Sequence, residues 1–122
     1  MSIIVGANCR RLHLYRRGTD MRKGFDSLCG IIKNELDKQV LDGDGFVFIN
    51  KPRTHIKVLV WEHGGFTIYY RRLEKGTFEL PTGDDDALSI QINFNQLHFI
   101  LQGIALSTIR YRPRYQHFCT VR

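Results

Sequence analysis

Carboxylates are the first side chains to consider, because phosphoryl transfer by metal ions needs several of them within a few ångströms of one another. The acidic candidates lie far apart in this sequence, and most have a plainer explanation. Asp20 has the position of a helix cap, Glu62 lies at the mouth of a hairpin, and the run Asp84–Asp86 is typical of a solvated loop. The other acids considered are Asp26, Glu74 and Glu79. We therefore predict no catalytic residues.

The five histidines and three cysteines offer neither a metal site nor a nucleophile. No histidine has a Cys, His or Glu at a ligand spacing such as His-Glu-x-x-His. Cys9, Cys29 and Cys119 are too scattered for a zinc site or a disulfide framework. Cys29 also lies on the apolar stripe of a predicted helix, where a buried thiol is the usual finding. We predict no metal and no cofactor.

Basic side chains are the more informative group, because Lys and Arg neutralise phosphates. They surround the predicted first helix start, the second and third strands, and a tail at 107–122 where arginine alternates with tyrosine and proline. Interleaved basic and aromatic residues suit phosphate contact and base stacking, whereas a solvated surface explains any single residue. Arg22 also precedes Asp26 by the spacing of a helix-surface ion pair. The candidate DNA-binding residues are Arg22, Lys23, Lys57, Arg71, Arg72, Lys75, Arg110, Arg112 and Arg114.

Composition sets the class of protein. The chain has 122 residues, of which 43% are hydrophobic and 25% charged, so we expect one domain over 1–122 rather than a disordered tail, a fibre or a multidomain enzyme. A net charge of +6 favours polyanionic partners. The apolar start Ile3–Val5 is too short for a signal peptide, and no apolar run reaches the ~20 residues of a membrane span. We expect a cytoplasmic protein with no membrane partner.

Hydrophobic periodicity predicts the elements of the first half of the chain. The weak alternation of residues 12–15 predicts a short strand. Thr19 or Asp20 can cap a following helix, which we expect to end near Lys38. Residues 46–49 are apolar on both faces, as a central strand is. The stripe of the helix consists of Met21, Phe25, Leu28, Cys29, Ile32 and Leu36.

The second half predicts a hairpin and a further helix. Residues 55–61 and 66–73 read as strands joined at 62–65, and 77–80 read as a shorter strand that Pro81 ends. Asn93 and Gln96 have the spacing of a capping box, which precedes a short helix.

The period of two residues assigns the faces of the hairpin. The face with Lys57, Leu59 and Trp61 is the more aromatic, and we expect it to pack under the first helix. The other face is expected to be half exposed, with Tyr69 and Arg71 accessible. The predicted fold is a small α+β domain, with a mainly antiparallel sheet of about four or five strands and two helices packed on one face. The sequence leaves the strand order open.

Several stretches in order resemble a known family. They are residues 19–28, 46–50, 56–62 with 65–66, 70–78, and 97 with 100–104, so the likeness covers about 12–104. The combination of Thr-Asp-Met-Arg-Lys-Gly with Arg-Leu-Glu-x-Gly is specific. These stretches are similar to the TnpB-type accessory protein of the insertion sequence 66 family of bacterial transposable elements. The motif residues carried over are Asp20, Arg22, Lys23, Gly24, Arg72, Glu74 and Gly76.

The resemblance implies a protein that assists transposition while a separate, larger transposase performs catalysis. Our first hypothesis is therefore a non-catalytic accessory factor that contacts element ends through its basic surface. A second is a module that docks on the cognate transposase without binding DNA. A small nuclease ranks third. The candidate partner-binding residues are Tyr69, Tyr111 and Tyr115, since tyrosine is enriched at interface hot spots.

Overall fold

The computed structural model describes residues 11–39, 43–81 and 86–102. These residues form five strands and two helices in the order β1, α1, β2, β3, β4, β5, α2. The bounds are β1 Leu12–Tyr15, α1 Phe25–Asn34, β2 Gly45–Ile49, β3 His55–Glu62, β4 Gly65–Arg72, β5 Ser89–Ile92 and α2 Phe94–Gln102.

All five strands belong to one sheet with the order β4-β3-β2-β1-β5. β1 and β2 are parallel, because helix α1 connects them as a crossover, and the other three neighbours are antiparallel. Every residue of β1 and β2 is buried, as expected for the strands at the centre of a covered sheet. The predicted α+β class with a mainly antiparallel sheet and two helices is confirmed.

The two helices cover opposite faces of the sheet, so the prediction that they pack on one face is wrong. Leu28 and Ile32 of α1 pack with Phe46 and Phe48 of β2. On the reverse face, α2 contributes to a core formed by Leu12, Leu14, Val47, Ile49, Ile56, Val58, Val60, Phe78, Ile92, Leu97, Ile100 and Leu101. The physical reason is the sequence of β2, which is apolar on both faces and therefore needs cover on both sides.

Helix α1 begins later than its apolar stripe predicts. The carboxylate of Asp20 accepts a hydrogen bond from the backbone N–H of Arg22 at 2.9 Å, and the N–H of Lys23 donates to the Asp20 carbonyl at 3.1 Å. These bonds close a turn rather than a helix. Gly24 is then extended, with φ −104° and ψ −154°, and helical structure starts at Phe25. The predicted cap at Thr19 or Asp20 is wrong for this reason.

The β3–β4 hairpin follows the sequence prediction closely. Glu62 pairs with Gly65 across a two-residue turn, in which His63 and Gly64 both have positive φ, 54° and 79°. Two consecutive positive φ values define the type I′ turn, which matches the natural twist of the strands. The register pairs Lys57 with Tyr70 and Trp61 with Phe66, so the two predicted faces are confirmed.

The end of the described chain contains one wrong prediction and one confirmed one. Residues 77–80 form no strand, although Phe78 is buried and its N–H donates to the Arg53 carbonyl at 2.7 Å. The fifth strand is instead β5, which pairs with β1. The capping box before α2 is confirmed, since Gln96 N–H donates to Asn93 Oδ1 and Asn93 N–H donates to Gln96 Oε1, at 2.7 and 2.9 Å.

Candidate nucleic-acid interface

One end of the sheet gathers three basic segments, 16–24, 50–57 and 70–76, which we call the cationic end. Backbone hydrogen bonds join them: Thr19 N–H donates to the carbonyl of Ile49, where β2 ends, and Leu73 N–H donates to the carbonyl of Thr54. The acids in these segments are Asp20 and Glu74 alone. Their ten cations are Arg16, Arg17, Arg22, Lys23, Lys51, Arg53, Lys57, Arg71, Arg72 and Lys75.

Lys57 ties the loop at 19–24 to the sheet. Its Nζ donates hydrogen bonds to the carbonyl oxygens of Met21 and Lys23, at 2.7 and 2.9 Å. The same ammonium lies 4.9 Å from the centroid of the Tyr70 ring, within cation–π range. The side chain is half-buried, since it shares the α1 face with the core. DNA contact is the predicted role of Lys57. In the structure, its ammonium holds the loop at 19–24 in place.

Arg22 carries its own counterion. Its guanidinium donates to both carboxylate oxygens of Asp20, with the shortest contact 2.7 Å. Hydrogen bonds from the Arg22 side chain, and then from its backbone N–H, lower the pKa of Asp20 to about 2. The expected pairing of Arg22 with Asp26 is wrong, because Arg22 precedes α1 and the helical spacing does not apply. The Arg22 side chain remains largely exposed.

The second motif repeats this arrangement on another loop. Arg72 Nη2 lies 2.8 Å from Glu74 Oε2, and Arg72 Nε donates to the same oxygen at 2.9 Å. Both side chains are exposed. Gly76 follows with φ 80°, in the left-handed region that favours glycine. Each motif therefore presents an arginine with a carboxylate two residues away along the chain.

Three other cations of this end have no such partner among the described residues. Within the described ranges, the exposed side chains of Lys51, Arg53 and Lys75 make no hydrogen bond or ion pair. Lys51 and Arg53 were not among the predicted DNA-binding residues. The signal was present in the sequence, since the turn Asn-Lys-Pro-Arg-Thr must be exposed between two strands. Lys23, which was predicted, is half-buried on the neighbouring loop.

Two predicted residues lie on the reverse, α2 face of the sheet. Arg71 Nη1 donates to the carbonyl of Leu101 in α2 at 3.0 Å, and the Tyr69 hydroxyl donates to Glu62 Oε2 at 2.7 Å. Both side chains are half-buried. They are thus positioned by α2 and by the hairpin rather than presented together with Arg22 and Arg72. The remaining predicted residues, Arg110, Arg112, Arg114, Tyr111 and Tyr115, lie outside the described residues.

A shallow cleft opens in the cationic end where the parallel strands β1 and β2 finish. The residues that line it include Asp20, Met21, Asn50, Lys51 and His55. The Asn50 carboxamide oxygen accepts the backbone N–H groups of Thr54 and His55, at 2.8 and 3.0 Å. This network fixes the turn that carries Lys51, so the turn presents its cations from a defined backbone.

The structure adds little that favours redox or metal chemistry. Among the described residues, no three His, Cys, Asp or Glu side chains lie close enough together to hold a metal ion. Burial, followed by the nearby charge of Asp26, raises the pKa of the Cys29 thiol, which keeps it protonated and poorly nucleophilic. In the described part of the chain, no helix has the length and apolar character needed to cross a membrane.

Comparison with known proteins identifies the family. The family described as IS66 Orf2 like protein matches residues 10–111. Two relatives from Sinorhizobium fredii (strain NBRC 101917 / NGR234) are both called uncharacterized. The protein y4hO is 37% identical over 87 residues, 70% of this chain and 73% of the relative. The protein y4jC is 23% identical over 103 residues, 84% of this chain and 86% of the relative. No solved structure matches the chain.

The match covers most of the chain and contains both motif loops of the cationic end. It also agrees with the resemblance that the motif sequences indicated. The chain therefore belongs to the family of IS66 Orf2-like proteins, accessory proteins associated with insertion sequences.

Proposed function

We propose that this accessory protein acts in transposition by contacting the DNA of the element through the cationic end, without catalysing strand cleavage itself. The observation that carries the proposal is a group of six exposed Lys and Arg side chains on three segments that meet at one end of the sheet: Arg17, Arg22, Lys51, Arg53, Arg72 and Lys75. A positive field on one side of a molecule attracts a polyanion and orients it.

The exposed cations fit phosphate contact better than base reading. Lys51, Arg53 and Lys75 are borne on turns and loops, and phosphate contacts position a protein on DNA without selecting sequence. No helix with exposed polar side chains is needed for such contacts. We therefore expect affinity that depends steeply on salt and little on sequence.

The two motif arginines fit the same role through an exchange of partners. Arg22 and Arg72 are exposed and bonded to Asp20 and Glu74, and exposed ion pairs contribute little to stability. Two oxygens of a phosphate can accept a bidentate pair of hydrogen bonds from a guanidinium group, as the two oxygens of a carboxylate can. On DNA, each arginine can turn from its carboxylate to a phosphate.

A pair of matched charge reversals tests the proposal. Binding of the full-length protein to duplex DNA from the element ends is measured by fluorescence anisotropy over a salt series. For the wild type, log K should fall linearly with log salt, with a slope of about −0.9 for each phosphate neutralised. Lys51→Glu with Lys75→Glu should weaken binding at low salt by at least about tenfold and make this slope shallower.

Arg11→Glu with Lys33→Glu is the control, since it changes the net charge equally with exposed residues outside the cationic end. Its affinity should fall much less. If both double variants lose affinity equally, the attraction comes from net charge alone, and the cationic end is not the contact surface. If the wild type binds no DNA at low salt, the proposal fails.

The alternative is a module that docks on the transposase without binding DNA. The two functions separate in one experiment, in which the accessory protein and its cognate transposase are co-purified after nuclease treatment. Retention of the Lys51→Glu, Lys75→Glu protein, combined with wild-type failure to bind DNA, would favour docking.

A further inference from the structure

The outer edge of β4 is long and aromatic, and no other described strand pairs with it; we infer that it binds the β4 strand of a second copy of this chain, forming an antiparallel pair across a two-fold axis. β4 ends the sheet order β4-β3-β2-β1-β5, so only β3 pairs with it among the described strands. It has eight residues, whereas the other edge strand, β5, has four. The proposal is independent of DNA binding.

The open edge lacks the devices that usually prevent strands from pairing between molecules. Edge strands of monomers are commonly short, or carry lysine, proline or a bulge. From Gly65 to Tyr70, β4 contains no charged residue and no proline, and it pairs with β3 in one unbroken register. Charge appears only at its last two residues, Arg71 and Arg72.

Exposed aromatic side chains line the same edge. Tyr70 is 56% exposed, Phe66 37% and Phe25 of α1 46%, which makes three of the four large hydrophobic side chains that are exposed in the described chain. The Phe25 and Phe66 rings are 6.5 Å apart, and Trp61 packs edge-on against Phe66 at 4.9 Å. We call Phe25, Phe66 and Tyr70 the aromatic strip, and exposed apolar side chains gathered along one edge in this way mark a contact surface.

The alternation of backbone groups along β4 determines which residues can bond outward. Glu62 and Gly65 close the two-residue turn, so Gly65 directs its N–H and C=O toward β3. Because the direction alternates from one residue to the next, the backbone N–H and C=O groups of Phe66, Ile68 and Tyr70 point away from β3, toward the open edge. These are the residues whose side chains lie on the α1 face with the aromatic strip.

An antiparallel pair centred on Ile68 gives partners to the outward N–H and C=O groups of both copies. Ile68 lies opposite the partner's Ile68, and Phe66 lies opposite the partner's Tyr70, so each outward-bonding residue meets another. The exposed Phe66 and Tyr70 rings then face each other twice, at a cross-strand separation that suits aromatic pairs. Isologous pairing of this kind needs no sequence other than β4 itself.

Charge favours the antiparallel direction and a second copy. In this arrangement Arg71 and Arg72 of the two copies lie at opposite ends of the paired strands, which avoids placing four guanidinium groups together. From Gly65 to Tyr70 the strand itself is uncharged, and the Lys57 ammonium lies beside it only at the Tyr70 ring, which suits an identical strand better than a polyanion. The contact continues the sheet across the axis, and the α1 helices lie on the same face of the joined sheet.

The oligomeric state of the full-length protein tests the inference. Sedimentation velocity over a concentration series should give a dimer for the wild type. Phe66→Lys with Tyr70→Lys should give a monomer, because each new ammonium would face another across the axis. Phe94→Lys, which changes an exposed aromatic residue of α2, should stay dimeric. Circular dichroism verifies that each variant is folded. A monomeric wild type throughout the series, or loss of dimer in Phe94→Lys as well, overturns the inference.

A cysteine cross-link tests the register directly. With Cys9, Cys29 and Cys119 replaced by serine, Ile68→Cys should form a covalent dimer on mild oxidation, because residue 68 is the one that faces itself. Tyr69→Cys faces itself only if the strands shift to the neighbouring register that pairs Phe66 with the partner's Arg72. Cross-linking of Tyr69→Cys without cross-linking of Ile68→Cys would overturn the proposed pairing.

Discussion

At the end of the sheet where β1 and β2 begin, an acid and a base are buried together, whereas at the cationic end the paired acids lie in water. His13 Nε2 is 2.8 Å from Asp44 Oδ2, and the two residues are only 5% and 9% exposed. Asp20 and Glu74 bind their arginines at similar distances but in exposed loops. The two arrangements use the same chemistry with different dielectric surroundings.

The difference indicates which polar pairs serve the fold and which charged groups are available to a partner. A buried polar pair is needed for stability once it exists, because removal of one member leaves the other without water or a partner. The His13 ring also stacks on Phe46 at 5.1 Å, which places the pair within the core under α1. An exposed pair can separate at little cost, since water solvates both charges.

The largest effect should come from Asp44→Ala. The substitution leaves His13 Nε2 buried without its hydrogen bond, and we expect a loss of about 1–3 kcal/mol in the free energy of unfolding. Urea denaturation measures this. Glu74→Ala serves as the control from the cationic end and should leave the midpoint unchanged. Equal losses in the two variants would contradict the division between buried and exposed pairs.

A smaller effect is expected for Lys57→Met, which keeps the apolar stem and removes the ammonium. The carbonyls of Met21 and Lys23 lose their donor, and we expect a loss of about 1–2 kcal/mol together with altered amide shifts in the loop at 19–24. Denaturation and nitrogen–proton correlation spectra measure the two effects. Lys75→Met is the matched control, and its spectrum should differ only near residue 75. A Lys57→Met spectrum with an unchanged loop would show that the tether is not needed.

The smallest effect concerns the titration of Asp20. Its pKa of about 2 lies below the ordinary 3.8, so the pair favours the folded state above pH 3.8 and loses this contribution as the pH falls toward 2. Arg22→Gln should raise the pKa of Asp20 toward its ordinary value, as measured by carbon-13 spectroscopy of the carboxyl group. Arg53→Gln should leave it unchanged. Since the side chains of Asp20 and Arg22 are both exposed, the thermal stability of Arg22→Gln should hardly change.

Local patterns predicted the hairpin, the central strand and the capping box. Each depends on neighbours within a few residues: alternation in β3 and β4, a two-residue turn at His63, and reciprocal bonds of Asn93 and Gln96. The position of the second helix and the choice of β5 depend on contacts between distant segments, whereas the start of α1 depends on the local turn that Asp20 closes. The apolar reverse side of β2 contained the information about helix placement, but using it required knowledge of which strands neighbour it.

The sequence predicted which segments carry the cations of the candidate site, but not the contacts that their side chains make. The two motifs at 19–24 and 72–76 contain four of the ten cations of the cationic end, and the family resemblance selected Arg22, Lys23 and Arg72 among them. The carboxylate partners of Arg22 and Arg72 were not foreseen, because a spacing of two residues pairs side chains only in the turn geometry that the fold imposes. The role of Lys57 in holding the loop at 19–24 could have been recognised, since the alternation of β3 places its side chain on the face of Leu59, beneath α1.

The position of β1 has a consequence for synthesis on the ribosome. β1 lies between β2 and β5, so its two neighbours come from opposite parts of the described chain. Residues 12–72 can assemble four strands and α1 as they emerge, but the far side of β1 must wait for β5. Contacts between segments so distant slow folding, and an open apolar strand invites association with other nascent chains. A chaperone that shields Leu12–Tyr15 at this stage would raise the yield of native protein.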